Sequence, residues 1–123
     1  MTLTRFAAMP FVLLAGLIST TALAADGAVL FKQRCAACHA TEAGKKSGSG
    51  PNLSGIVGRN AGTGAYPYSP ALKKAQVRWD ARTLDTWLSG PSKMVPGTRM
   101  FTSVPKPDER KAIVAYLASL KGH

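Results

Sequence analysis

The chain has 123 residues, with sixteen Lys and Arg against six Asp and Glu and a formal charge of +10. That length holds one small domain at most, and an apolar share of 46% excludes a disordered basic tail. Two cysteines and two histidines are too few for a disulfide scaffold or a multi-zinc module. No run of about eighteen uninterrupted apolar residues offers a spanning helix.

The first segment has the order of a secretory signal. Arg5 supplies a positive start, Phe6 to Ile18 is mostly apolar with Pro10 inside it, and Ser19-Thr20-Thr21 leads into Ala22-Leu23-Ala24. The apolar run is too short to anchor the chain stably in a bilayer. Cleavage after Ala24 or Ala25 is expected, leaving residues 25–123 as the folded domain and removing one basic residue and no acid. A chain of about one hundred residues is marginal as a self-sufficient core, so an exported one without a disulfide framework needs another source of core.

Asp26 predicts the cap of a helix over about residues 27–38, with Phe31, Cys35 and Cys38 on one face. The run Cys35-Ala36-Ala37-Cys38-His39 gathers both cysteines and one histidine. A dithiol redox pair would need an alternating strand–helix setting that is absent, and zinc would need a fourth ligand for which only His123 is left. Covalent haem attachment is the cause that fits CxxCH. Thiols three apart on one helical turn reach the two vinyl groups, and the histidine emerges beneath the iron. Haem also provides the apolar core that the chain lacks.

Residues 40–70 hold seven glycines (44, 48, 50, 55, 58, 62 and 64) and three prolines, an irregular stretch too long to stand in a compact domain unless it wraps something. Ser69-Pro70 starts a short helix, and Asp80 caps another near 81–89 that Gly90-Pro91 ends, with Leu84, Trp87 and Leu88 as its apolar face. The last helix begins at Pro107, carries Asp108 and Glu109 at its positive end, and is closed by Lys121-Gly122. Ile113, Tyr116, Leu117 and Leu120 form its stripe. Nothing alternates long enough to be a strand, so the fold class is all-α, with helices and long loops around one prosthetic group. For a second axial ligand the candidates are Met94, Met100 and His123, and spacing does not choose among them, although His123 sits beyond a helix-ending glycine.

CAACH at 35–39, GPNLSGIVGR at 50–59, the Tyr68 to Trp79 segment, PGTRM at 96–100 and AYL at 115–117 resemble, in order and over almost the whole domain, the class I cytochrome c family of mitochondria and alphaproteobacteria. The resemblance implies the cytochrome c fold, in which the N- and C-terminal helices cross. It also implies one covalent haem c on Cys35 and Cys38, with His39 and Met100 as axial ligands. Pro51 matches the proline whose carbonyl orients the axial histidine, Thr98 the residue that positions the methionine loop, and Arg59, Tyr68 and Trp79 the donors to a haem propionate. Gly27 and Phe31 match positions where the first helix crosses the last near Ile113 and Tyr116. Three features depart from the family pattern. Trp87 takes the place of a tyrosine near the methionine sulfur, Leu72 that of an asparagine that helps hold an internal water, and the stretch Phe101-Thr102-Ser103-Val104 is one residue shorter.

The function these readings imply is a periplasmic electron carrier, a monomer and not an enzyme, passing single electrons between redox partners of a respiratory or dehydrogenase chain. A terminal oxidase, a cytochrome bc1-type complex or one dedicated periplasmic dehydrogenase would be the partner. Arg34, Lys93 and Arg99 flank the attachment and methionine segments and are expected to ring the haem edge, steering it to acidic patches. Nucleic acid is not an expected partner, because the basic residues are dispersed and the chain is exported. The alternative is an open-site haem enzyme or sensor, a small peroxidase or gas-binding protein, which would need a distal acid–base group.

Overall fold

A computed structural model describes residues 2–12 and 19–120. Among these residues five helices follow one another: α1 (Thr20–Arg34), α2 (Pro70–Lys74), α3 (Ala81–Ser89), α4 (Pro91–Met94) and α5 (Pro107–Ser119). Among the described residues the extended backbone pairs only at the isolated bridge between Asn60 and Arg78. The all-α expectation is met.

The first helix differs from its predicted span. It begins at Thr20, where the Ser19 hydroxyl accepts the Thr21 N–H, and Asp26 lies inside it rather than capping it. Ala22, Ala24 and Ala25 are small enough for a processing site, and with Leu23 they are also strong helix formers, so the helix runs back through them. At the other end it stops at Arg34, short of residue 38, because the Phe31 carbonyl accepts both the Cys35 and the Ala36 N–H groups and the turn widens there. Lys32 and Arg34 sit in the last turn, where cations complement the helix dipole.

The later helices follow their local signals. In α2 the Ser69 hydroxyl accepts the Leu72 N–H behind Pro70. Asp80 and Thr83 form a reciprocal capping box at the start of α3, 2.8 Å from the Thr83 N–H to Oδ1 and 2.9 Å from the Asp80 N–H to Oγ1. Gly90 ends α3 and at once begins α4, a single turn that the sequence reading lacked. Helix α5 starts at Pro107 with Asp108 and Glu109 in its first turn. The expected closure at Lys121-Gly122, and His123 with it, lies outside the described residues.

Helices α1 and α5 cross at Gly27. A Cβ there would collide with the Ala112 carbonyl, so the two backbones touch where a side chain would hold them apart. One turn on, Phe31 packs on Tyr116 with ring centroids 5.4 Å apart. At the far end Arg34 reaches Glu109 at 2.7 Å. The buried face of α5, Ala112, Ile113, Val114 and Leu117, is wider than the predicted stripe, because α1 covers one side of it and α3 another. Leu84, Trp87 and Leu88 of α3 join it, and Trp79 packs edge-on to Trp87 at 5.3 Å.

The glycine-rich stretch wraps this core and is held by long-range backbone bonds. Gly58 donates to Trp79, Trp79 to Arg59 and Ala61 to Val77, at 2.7–2.9 Å. Gly62, with φ of 73°, runs against the backbone of Leu72 and Lys73 where a Cβ would not fit. Leu72 is itself buried, so an apolar side chain fills the place of the family's asparagine. By contrast Leu3, Phe6, Met9 and Phe11 are each more than nine-tenths exposed and add nothing to the core.

Candidate functional site

The attachment segment is a tight turn continuous with α1. Cys38 and His39 N–H groups both bond to the Cys35 carbonyl at 3.0 Å, so the i→i−4 bond from His39 closes one further helical turn. Both cysteines are free thiols; Cys35 is half-buried against the core and Cys38 is exposed. Burial pushes the Cys35 thiol up from its ordinary value, the Arg34 charge offsets part of this, and Cys38 adds to it.

His39 is held from behind. Its Nδ1 lies 2.7 Å from the Pro51 carbonyl, a bond in which a ring N–H donates, which leaves Nε2 as the free nitrogen. Burial lowers the pKa of the imidazole and the Pro51 carbonyl opposes that shift. Two backbone bonds pin the loop that carries Pro51: Gly50 donates to Cys38 and Leu53 to Ala40, each at 2.9 Å. Gly50 is a position that the sequence reading did not single out, although it directly precedes Pro51. A Cβ on it would strike the imidazole ring, so only glycine lets the loop lie flat on His39.

Met100 occupies the other side of the candidate site in sequence and is half-buried against the hydrophobic core. Trp87 donates its indole N–H to the Met100 sulfur at 3.3 Å, so the indole supplies the donor that the family's tyrosine would. Thr98 is buried, and its hydroxyl stands at a long 3.4 Å from the Met100 N–H. Met94, the competing thioether, is half-buried and packs against the core as well.

The residues matched to propionate donors fall in one region of the wrapping loop. Arg59 donates to the Thr63 carbonyl at 3.0 Å, and its positive charge acts on Tyr68. Burial raises the Tyr68 pKa, Arg59 lowers it, and Tyr66 raises it again. Tyr66 and Tyr68 meet edge-on at 4.9 Å, and the Tyr66 hydroxyl donates to the Ser49 carbonyl, tying this region to the loop beside His39. Trp79 is buried.

Of the three charges expected around the edge, Arg34 pairs with Glu109 at 2.7 Å and keeps 37% of its side chain exposed. Arg99 donates to the Pro67 carbonyl at 3.0 Å and Lys93 extends into solvent; both remain exposed cations. Phe101, next to Met100, is 80% exposed.

The donor set fits a haem bonded through two thioethers. Two free thiols lie one turn apart, an imidazole nitrogen is left open by the bond its partner makes to Pro51, and a half-buried thioether receives an N–H. Among the described residues no group of three or more His, Cys, Asp and Glu side chains is arranged to hold a bare metal ion.

Comparisons with known proteins agree with this chemistry. The family described as Cytochrome c matches residues 24–121. Cytochrome c of Nigella damascena is 44% identical over 95 residues, covering 76% of this chain and 86% of that protein. Cytochrome c of Chlamydomonas reinhardtii is 45% identical, covering 76% and 85%. Among solved structures, cytochrome cH from Methylobacterium extorquens superposes with a TM-score of 0.72 at 44% identity, over 78% of this chain and 97% of that one.

Proposed function

This chain belongs to the cytochrome c family, and from that premise we propose that it is a periplasmic carrier that binds haem through Cys35 and Cys38 and ligates its iron with His39 and Met100. The family carries one covalently attached haem c and moves electrons rather than catalysing a reaction. When bound, that group supplies a one-electron ferric/ferrous couple. The carrying observation is the pinned imidazole: a histidine ring fixed through Nδ1 on Pro51 and packed on Gly50 presents Nε2 in one orientation.

The residues around it hold the site still and dry. The Pro51 carbonyl keeps the proton on Nδ1, so His39 offers a lone pair in either oxidation state. Trp87, itself buried, holds the Met100 sulfur by an N–H. A sulfur held in this way favours the carrier over an open-site enzyme or sensor, which needs a vacant sixth position and an acid–base group beside it. Arg59, Tyr68 and Trp79 are the proposed partners of a propionate, whose burial would otherwise cost several kcal/mol.

Export is part of the same proposal. Cleavage after Ala24 or Ala25 would cut within α1 and leave Asp26 near its new start, where an acidic residue favours the helix dipole. The exposed apolar side chains of residues 3–11 support a leader that the domain does not need. Lys93, Arg99 and the surface lysines would steer the carrier to acidic patches on an oxidase, a bc1-type complex or a dehydrogenase.

The test is the visible spectrum of the oxidised holoprotein. A sulfur-to-iron charge-transfer band is expected, lost in Met100→Ala and kept in Met94→Ala. Ready binding of carbon monoxide by the reduced, untreated protein would overturn the closed site. Electron exchange with an acidic partner should slow steeply as ionic strength rises, and a flat profile would refute steering.

A further inference from the structure

The methionine segment has almost no hydrogen bonding of its own. Among the described residues, no backbone–backbone bond outside the helices begins or ends on residues 99–103, and Phe101, Thr102 and Ser103 are exposed. Beyond the side-chain bonds of Arg99 to the Pro67 carbonyl and of Trp87 to the Met100 sulfur, Met100 is placed by the two ends of its segment. The near end is Val95 and Thr98, where the Thr98 N–H bonds the Val95 carbonyl at 3.1 Å. The far end is Val104, which is 1% exposed and donates its N–H to the Leu88 carbonyl at 2.7 Å.

One guanidinium gathers everything at that far end. Arg110 of α5 donates through Nη1 to the carbonyls of Val104 and Pro105, at 3.0 and 2.9 Å. Through Nε it meets Asp85 Oδ1 of α3 at 2.8 Å, with its own side chain 13% exposed. Helix α3 also carries Trp87, whose indole N–H holds the Met100 sulfur. Arg110 thus joins both routes to the sulfur, the chain from Val104 back to Met100 and the helix from Asp85 to Trp87. A planar fork makes these bonds with one rigid group, which the single ammonium of lysine cannot copy.

We infer that Arg110 is a positioning residue for the Met100 thioether: by clamping the Val104-Pro105 carbonyls to Asp85 of α3 it sets how readily the sulfur gives way to an outside ligand. This rests on the reading of Met100 as an axial ligand. Losing the clamp leaves the far end held by the Val104–Leu88 bond alone, in a stretch with no backbone–backbone bonds over 99–103, so the sulfur competes less well for its position while haem attachment through Cys35 and Cys38 is untouched.

The experiment is imidazole binding to the ferric holoprotein, followed in the visible spectrum beside thermal unfolding and amide exchange. Arg110→Leu should raise imidazole affinity about tenfold, the equilibrium weight of a charge-assisted hydrogen bond at the low end of its range. Asp85→Ala, which cuts only the arm to α3, should raise it less, and Arg110→Lys should fall between wild type and Arg110→Leu. Exchange at the Phe101 to Val104 amides should quicken in these variants relative to those of α1. If melting temperatures fall but imidazole affinity stays within about twofold of wild type, Arg110 is merely structural and the inference is overturned; Asp85→Ala and Arg110→Lys keep this decisive should Arg110→Leu not fold. Failure of the underlying reading looks different, since Met100→Ala would then bind imidazole no better than wild type.

Discussion

Replacing Trp87 with phenylalanine isolates the bond from its indole to the Met100 sulfur. The N–H lies 3.3 Å from the sulfur and, with Met100 as the proposed axial ligand, would point a partial positive charge at the lone pair that a ferric iron draws on most strongly. It therefore disfavours the oxidised state, and its removal should lower the reduction potential. A neutral hydrogen bond is worth about 1 kcal/mol. For one electron, about 1.4 kcal/mol corresponds to about 59 mV, so a bond acting wholly on one oxidation state would shift the potential by about 40 mV. Because the donor acts on both states to different extents, a drop of about 20–40 mV is expected in Trp87→Phe. Trp87 is 7% exposed and stacks edge-on with Trp79, so the smaller ring should also cost about 1–2 kcal/mol of stability. Trp87→Tyr separates the two effects by returning a donor to a smaller ring. Spectroelectrochemical titration of the three holoproteins is the assay. A potential unchanged or raised in Trp87→Phe, or lowered equally in Trp87→Tyr, would refute the reasoning.

Other sites give sharper structural readouts. Gly27→Ala should destabilise the protein by about 1–3 kcal/mol in denaturant unfolding, because its Cβ meets the Ala112 backbone, which cannot swing aside as a flexible side chain would. Gly50→Ala should leave haem attached but displace the imidazole, read as a weakened low-spin spectrum, since its Cβ falls on the His39 ring. The Thr83 N–H holds the Asp80 carboxylate below its ordinary pKa, so Asp80 contributes stability that is present above the unfolded value near 3.8 and is lost as pH falls through the lower folded value. Asp80→Asn keeps a capping acceptor without the charge, and its stability deficit against wild type should close as pH drops below about 4. A deficit that widens in acid would contradict that sign.

Several elements were legible because their causes are local. Asp80 with Thr83 starts α3, and Pro107 with its two acids starts α5, from groups within one turn of each other. The start of α1 differs from its expected place because Ala22, Ala24 and Ala25 serve two purposes at once, as small residues for a processing site and as strong helix formers. Arg34 adjoins Cys35 in sequence, and its 37% exposed side chain pairs with Glu109 of α5, a partner that no local pattern marks.

The kinds of group at the candidate site are legible without the fold, because Cys35, Cys38 and His39 stand within five consecutive residues and stay neighbours wherever the rest of the chain goes. How those groups are held follows from folding. The bond from His39 to Pro51, the indole of Trp87 on Met100, and the reach of Arg110 to Asp85 each join residues 12 or more apart along the chain. Such closures depend on the crossing of α1 and α5 at Gly27 and on α3 packing against α5, which bring distant side chains into reach without leaving any periodic mark in the sequence.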